Sequence, residues 1–317
     1  MERTLGPRNV GDILKETFII YKNNIWRLVA IGSVAAVPGA VIGTLPQLLS
    51  PRYSMVENLN PAILLILIPL YLIIFAVSVF AMGAVIFAVA EQYFKRPVSI
   101  RRAFSFSWNR LSDMFWALVL VVLAVWGIVA AAFLISLPLV INADLDANPI
   151  LSILLLMIVM VIAFFIALLP ITYLNVRWIF GTQSALLQGL GPVAALKNSW
   201  QLVKENWWRV FGILLLLGLI LWAAMMVIMV PVVFGTMGAT LTSYTTETAA
   251  GLPIWLLVWM FVAALIVNLF GTPIINVGET LLYFDLRVRK QGYTVENLAA
   301  ELGLPGTTAS SVISPQQ

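Results

Sequence analysis

Two short segments of the chain place charged and amide side chains at the ends of long apolar runs. The segments are PITYLNVRW, residues 170–178, and TPIINVGET, residues 272–280. When they are aligned on their shared Asn-Val pair, Asn175 matches Asn276, and Arg177 and Glu279 fall at neighbouring positions. Ionisable groups at membrane depth are costly, and they commonly mark a binding site or a polar contact between helices. These four residues are therefore the candidate polar cluster.

Two interpretations of this cluster remain open. In the first, Arg177 and Glu279 form a buried ion pair that joins two spans and only stabilises the bundle. In the second, the cluster binds a headgroup or substrate, and the Arg177 guanidinium holds a phosphate. Reversing both charges distinguishes them, because a purely structural pair tolerates the exchange. Two isolated polar residues, Ser78 in the second run and Asn268 in the sixth, predict hydrogen bonds between helices.

Several kinds of catalytic chemistry are excluded by the residue types. The chain contains no histidine and no cysteine, so it lacks the commonest general base and any thiol nucleophile. The sequence has no G-x-x-x-x-G-K-[ST] phosphate loop and no evident serine-nucleophile or paired-carboxylate arrangement. We expect no enzymatic activity, no catalytic residue, no metal site and no cofactor.

The elements that must position the polar cluster are membrane spans. The chain of 317 residues is 62% hydrophobic and only 10% charged, whereas soluble domains carry about 25% charged residues. Six apolar runs are long enough to cross about 30 Å of hydrocarbon. They cover residues 25–48, 62–90, 114–141, 150–180, 208–236 and 253–283. The prediction is an all-α integral membrane protein with six transmembrane helices, in which Pro170 and Pro273 mark kinks or helix ends.

Lysine and arginine are distributed unevenly around these six runs. Seventeen of the 18 fall on one side, and only Arg52 falls on the other. The loops on the Arg52 side instead carry acidic residues, namely Glu57, Asp144, Asp146 and Glu247. By the positive-inside rule, we expect a multi-pass plasma-membrane protein with both termini in the cytoplasm. The cytoplasmic positive charge predicts a preference for anionic inner-leaflet lipids, and no nucleic-acid partner is expected.

A segment before the first span recurs later in the chain. Residues 14–27, LKETFIIYKNNIWR, match residues 196–209, LKNSWQLVKENWWR, and a weaker copy, FSFSWNRLSDMFWA, covers residues 104–117. Thr17, Ser107 and Ser199 correspond in these copies. Such repetition indicates one supersecondary unit used three times. We predict three parallel pseudo-repeats, at about residues 10–90, 99–180 and 191–285, in a single membrane domain of residues 1–290.

Each copy of this segment has an apolar, partly aromatic stripe at the spacing of an amphipathic helix, and in residues 196–209 Lys197 and Lys204 face away from it. This pattern is typical of a helix in the cytoplasmic headgroup layer. Such helices either only anchor the bundle or also gate a lipid-facing entrance. The predicted interfacial anchors are Trp26, Arg27, Trp108, Trp116, Trp200, Trp207, Trp208 and Arg209. In the tail, residues 291–317, the spacing of Val295, Leu298, Ala299 and Leu302 predicts a short helix before a disordered end.

Three longer stretches carry a family resemblance. GPVAALKNSWQLVKENWWRVFGILLL, INVGETLLYFDLRVRKQG and the N-terminal GDILKETFIIYKNNIWRLV resemble the prokaryotic glycerophosphoryl diester phosphodiesterase membrane-domain family, over residues 10 to about 300. The resemblance implies a six-span membrane domain of poorly known function, sometimes fused to a phosphodiesterase. The soluble catalytic barrel of such enzymes uses histidine, which this chain lacks, so the family name does not imply that activity here.

Three functions fit these observations. The first is a non-enzymatic protein that binds or handles lipids or other amphiphiles in the cell envelope. The second is a membrane scaffold that recruits a protein partner through its interfacial helices. The third is a small transporter or permease. A central cavity would favour the first or the third, whereas a centre packed with Leu, Ile and Phe would favour the scaffold.

Overall fold

The computed structural model describes residues 5–49, 61–94, 99–141, 149–246 and 253–304. Within these ranges the chain is helical and forms no strand. The α-helices are α1 (Val10–Leu49), α2 (Pro61–Glu91), α3 (Ile100–Asn109), α4 (Leu111–Ile141), α5 (Pro149–Trp178), α6 (Gly181–Gln188), α7 (Pro192–Val203), α8 (Trp207–Thr246), α9 (Ile254–Ile266), α10 (Thr272–Gln291) and α11 (Val295–Glu301). The predicted outer loops, with Arg52, Glu57, Asp144, Asp146 and Glu247, lie outside the described residues.

Six helical segments are long and apolar enough to cross a membrane. They are Val10–Gly43, Ile68–Phe94, Leu111–Pro138, Ile153–Gln188, Trp207–Leu241 and Ile254–Gln291. Each of the six predicted runs overlaps one of these segments. The predicted all-α fold with six membrane spans is therefore confirmed.

A helical segment precedes the first, third and fifth spans. Helices α3 and α7 are short and separate, and they lead into α4 and α8. In α1 the two parts are joined, but Asn24 interrupts the helix with φ of −127° and ψ of 18°. A short polar segment changes the chain direction in each case, because the amphipathic part and the apolar span bury different faces.

The sixth span contains the break that Pro273 predicts. Residues Val267–Gly271 form a π-helical turn between α9 and α10, directly before Pro273. Proline lacks a backbone N–H and crowds the preceding turn, so the widened turn accommodates it without ending the span. Pro170 behaves differently, because α5 continues through it to Trp178.

The buried core lies at one end of the bundle. This end, where α1 begins and α10 finishes, carries Arg8, Arg209 and Arg289 and is called the basic end below. The last turns of α2, the whole of α6 and most of α10 are buried there. Phe87, Phe180 and Phe284 are among its fully buried side chains. The second span of each predicted unit thus extends into a protein core.

The amphipathic helices pack on these buried spans through small residues. Thr17, Ser107 and Ser199 are all fully buried. The Ser107 hydroxyl donates to the Phe80 carbonyl of α2 at 2.7 Å, and the Ser199 hydroxyl donates to the Arg177 carbonyl of α5 at 2.8 Å. The two serine hydroxyls therefore each connect a short helix to the preceding span.

The predicted tail helix is confirmed as α11. Its Leu298 and Ala299 are buried, and a capping box at Thr294 starts the helix. Glu301 at its end pairs with Arg287 of α10 at 2.8 Å and accepts a hydrogen bond from the Tyr293 hydroxyl at 2.6 Å. Residues 305–317, predicted to be disordered, lie outside the described residues.

Candidate functional site

Two adjoining cavities lie between the spans. The larger, about 300 Å³, is lined by α1, α2, α4 and the sixth span. Small residues of α1, Gly32, Ala35, Ala36 and Gly39, form one wall. Because these positions carry little side-chain volume, the neighbouring helices leave space between them.

Polar side chains line the opposite wall. Asn268, Thr272 and Asn276 of the sixth span face the larger cavity, and Ser78 of α2 joins them. The smaller cavity, about 170 Å³, is lined by Asn276 and by Glu279 one turn further along. Met82, Leu118 and Asn276 line both cavities, which are therefore neighbours. A polar stripe from residue 268 to residue 279 follows the sixth span for roughly 16 Å.

Ser78 and Asn268 were expected to bond between helices, and the structure corrects this. The Ser78 hydroxyl donates to the Ile74 carbonyl at 2.8 Å, and the Asn268 amide donates to the Ala264 carbonyl at 2.8 Å. Both acceptors lie one turn earlier in the same helix, where an i−4 carbonyl is within reach. With this local bond made, both residues line the larger cavity.

Three of the four residues in the predicted polar cluster come together. Asn175, Asn276 and Glu279 all line the smaller cavity. The Asn175 amide donates to the Ile171 carbonyl at 2.9 Å. Asn175 and Asn276, which the alignment of the two segments matched, thus line the same cavity.

Arg177 lies elsewhere. Its Nη2 and Nε donate to the Tyr173 hydroxyl at 2.8 and 3.1 Å, and its guanidinium lies 4.8 Å from the Trp200 ring centroid. Among the described residues no ion pair joins it to Glu279. Residues two apart on an α-helix point about 200° apart, so Arg177 faces away from the side that Asn175 presents to the cavity. The expected Arg177–Glu279 pair does not form.

Gln183, in the fully buried part of α6, was not predicted from the sequence. Its side chain lies beside the Glu279 carboxylate. Its Nε2 atom is buried without a hydrogen-bond partner in the described part of the chain, while its Oε1 accepts from the Thr182 hydroxyl at 3.0 Å. The polar run Gly-Thr-Gln-Ser directly after an apolar span was the available signal, because such a run needs buried partners if it stays inside the protein.

The predicted interfacial anchors divide into two groups. Trp26 is 80% exposed and Trp208 is 78% exposed, and Arg27, Trp108 and Trp116 are also exposed. Trp200 and Trp207 are partly buried against Tyr173 instead. The exposed group retains the position that an anchor requires.

Arg209 belongs to an ion cluster at the basic end. Its Nη2 pairs with Asp285 at 3.0 Å, and Arg289 Nε pairs with the same fully buried carboxylate at 3.0 Å. The backbone N–H of Arg8 donates to Asp285 at 2.7 Å. Asp285 thus joins the segment before α1 to α8 and α10.

Within the described residues, no group of three or more Asp, Glu, His or Cys side chains could hold a metal ion.

A family model described as a domain of unknown function, DUF7847, matches residues 110–286. This region covers four of the six spans and includes Asn175, Gln183, Asn276 and Glu279. No curated protein and no solved structure matches the chain significantly. Because the match extends over more than half of the chain, the protein belongs to the DUF7847 family, a domain of unknown function.

Proposed function

We propose that the protein binds an amphiphile in the cavities between its spans and does not catalyse a reaction on it. The observation that carries this proposal is the cavity of about 300 Å³ beside a stripe of polar side chains. Ligand sites have volumes of about 300 Å³ or more, with mostly apolar walls and a few polar groups. Phe75, Val79 and Val85 supply the apolar part here, and Asn268 and Asn276 supply the polar part.

The cavities also support a second candidate function, a small permease. The polar stripe passes from the larger cavity to the smaller one through Asn276. Such a continuous stripe is what a polar solute or headgroup needs in order to move along the bundle. The scaffold hypothesis is less well supported, because a scaffold needs no cavity at the centre of its spans.

The proposed setting is the plasma membrane of a prokaryote, with both termini in the cytoplasm. On this orientation, Arg27 and the exposed lysines of α1 and α7 face the cytoplasmic leaflet, where anionic lipids are the favoured partners. The cysteine-free chain allows a direct test with single-cysteine variants. We expect Glu205→Cys to react with an impermeant maleimide only after permeabilisation, and Asp144→Cys to react in intact cells.

We also propose that the chain is built from three repeats and is related to the glycerophosphoryl diester phosphodiesterase membrane domains. Gly83 and Gly278 of the second spans in the first and third units support the repeats. An added Cβ at Gly83 would meet the Ser107 side chain, and one at Gly278 would lie 3.5 Å from the Thr17 hydroxyl. Ser107 and Thr17, which correspond in the sequence repeats, thus each pack against a glycine of a second span.

Native mass spectrometry of the gently extracted protein tests amphiphile binding. We expect one amphiphile to be bound stoichiometrically and to be lost in Gly39→Phe, because this ring would fill the larger cavity. An added Cβ at Gly39 meets no atom within 4 Å, so the variant should fold. Gly127→Phe is the matched control, since its Cβ is equally free and it does not line the cavity.

Only bulk lipids in the spectrum, with no change in Gly39→Phe, would contradict amphiphile binding. That result would favour the scaffold, and a search for protein partners would follow. A bound amphiphile that is also lost in Gly127→Phe would point to general destabilisation instead of blockage of the cavity.

A further inference from the structure

Among the residues that line the two cavities, Glu279 carries the charged side chain. It is 7% exposed and lies on the wall of the smaller cavity. Arg177 neighbours Glu279 when the two segments are aligned. In the structure its guanidinium contacts Tyr173 and Trp200 instead. The acidic group presented to a ligand is therefore the Glu279 carboxyl group.

Other buried carboxylates of this protein have cationic partners. Asp285, two turns further along α10, is paired with Arg209 and Arg289. Glu91 at the end of α2 is paired with Arg102 at 3.0 Å. Among the described residues Glu279 forms no such pair.

A buried carboxylate without a cation is unfavourable, because its lost hydration is not replaced. The neighbouring amide of Gln183 does not compensate the carboxylate, because an amide supplies no positive charge. The carboxylate gains a counter-charge if a ligand with a positively charged headgroup enters the smaller cavity. A polar group next to that charge can also accept a hydrogen bond from the Gln183 amide.

We infer that the amphiphile of the proposed function carries a cationic, ammonium-type headgroup that binds Glu279 in the smaller cavity. Asn175 and Asn276 line the same space and stabilise the polar part of the headgroup. The alkyl chain extends into the larger cavity, along Phe75 and Val79. This inference rests on the proposed amphiphile binding and adds the chemical class of the ligand. A phosphate-only headgroup is disfavoured, because like charges in a low-dielectric site repel.

The experiment compares two amphiphiles that differ in headgroup charge. Radiolabelled dodecyltrimethylammonium and dodecyl phosphate are each titrated against the full-length protein in neutral dodecyl maltoside micelles, with empty micelles as background. We expect saturable binding of dodecyltrimethylammonium. We expect Glu279→Gln to weaken it at least about tenfold, because the attraction between the carboxylate and the ammonium charge is lost.

Two control variants keep the comparison specific. Glu205→Gln removes a carboxylate whose side chain is 77% exposed and distant in sequence from the cavities, and binding should be unchanged. Arg177→Gln should also leave binding unchanged, because Arg177 does not line either cavity. Preferential binding of dodecyl phosphate that is lost in Arg177→Gln would overturn the inference.

The outcomes separate this inference from the proposed function. If both probes bind equally and Gly39→Phe blocks both, amphiphile binding stands and the cationic headgroup is wrong. If neither probe binds above background and no amphiphile is retained on extraction, the proposed function itself fails.

A measurement on the unaltered protein covers the case in which Glu279→Gln does not fold. Dicyclohexylcarbodiimide, an apolar reagent for carboxyl groups, is added to the full-length protein, and the peptide that contains Glu279 is analysed by mass spectrometry. Dodecyltrimethylammonium should reduce labelling of Glu279 at least about fivefold, whereas dodecyl phosphate should not, because only the cation covers the carboxylate. Equal labelling with and without the cation would contradict the inference.

Discussion

The two ends of the helix bundle are built differently. At the basic end, Tyr283, Phe284 and Leu286 of α10 are fully buried, and polar groups such as Asp285 are paired inside the protein. In the most apolar 18-residue stretches of the third and fourth spans, which lie within the described ranges, no side chain is buried. Leu169 of α5, for example, is 74% exposed. The same chain thus combines a core like that of a soluble protein with helices whose side chains are largely unburied.

This difference follows from what surrounds each end. Where water is present, burial of apolar surface drives the helices together and forms a core. In hydrocarbon that driving force is absent, so helices associate through close packing and polar contacts only. The cavities lie where these two regimes meet, beside the point at which α10 passes into the buried core. Because packing at the basic end holds the helices in place, the cavities between the spans can remain open.

Replacing a phenylalanine with alanine should give the largest difference in the free energy of unfolding between the two regions. Phe284 is fully buried and packs against Tyr93 and Tyr293, so Phe284→Ala should lower the free energy of unfolding by about 4 kcal/mol. Phe165→Ala, at a position that is 59% exposed on α5, should cost less than about 1 kcal/mol. Unfolding in detergent, followed by intrinsic fluorescence, measures both. Similar losses of unfolding free energy in the two variants would mean that the two regions do not differ in packing.

The ion cluster should be the next most sensitive feature. Asp285→Ala leaves Arg209 and Arg289 without their shared carboxylate, and we expect a loss of about 3 kcal/mol because both cations remain partly buried. Asp113→Ala is the control, since Asp113 at the start of α4 forms no ion pair among the described residues. Thermal unfolding of the two variants, side by side, checks the difference. If the control loses as much, the cluster is not the cause.

Two glycines in the spans give a smaller contrast. In Gly83→Ala the new Cβ would lie 2.9 Å from the Met114 methyl carbon and would press on Ser107, so we expect a loss of about 2 kcal/mol. In Gly127→Ala the Cβ meets no atom within 4 Å, and helix propensity should make the change neutral or slightly stabilising. Melting temperatures in the same detergent compare the variants. A stable Gly83→Ala protein would show that α3 is not packed tightly on α2.

The smallest effect is a titration at the docked tail. Burial, reinforced by the Glu301 carboxylate, raises the pKa of Tyr293 well above its ordinary value of about 10. The folded protein therefore holds this proton more tightly than the unfolded chain, so this contribution to stability is constant below about pH 10 and falls as the pH rises above it. The increase in absorbance at 295 nm between pH 9 and pH 11 should be the same for the wild-type protein and Tyr293→Phe. A smaller increase in the variant would show that Tyr293 ionises normally.

Much of the architecture could be predicted from the sequence, because it depends on properties of single segments. The length of an apolar run decides whether it spans a membrane, and all six spans were predicted for this reason. The periodicity of Val295, Leu298 and Ala299 was sufficient for α11 in the same way. The matched segments around Asn175 and Asn276 also indicated that these two residues belong to one site.

The contacts of the site were decided only by the tertiary structure. Whether Arg177 meets Glu279 depends on the rotation of each helix about its axis, and this rotation directs Arg177 to Trp200 instead. Gln183 reaches Glu279 because α6 enters the core at the basic end, which no local pattern specifies. Sequence determines the free energy of placing each segment in water or lipid, whereas pairing between segments depends on which faces the packed helices turn towards each other. Glu279 is left facing a cavity, without a cation of its own among the described residues, by that packing alone.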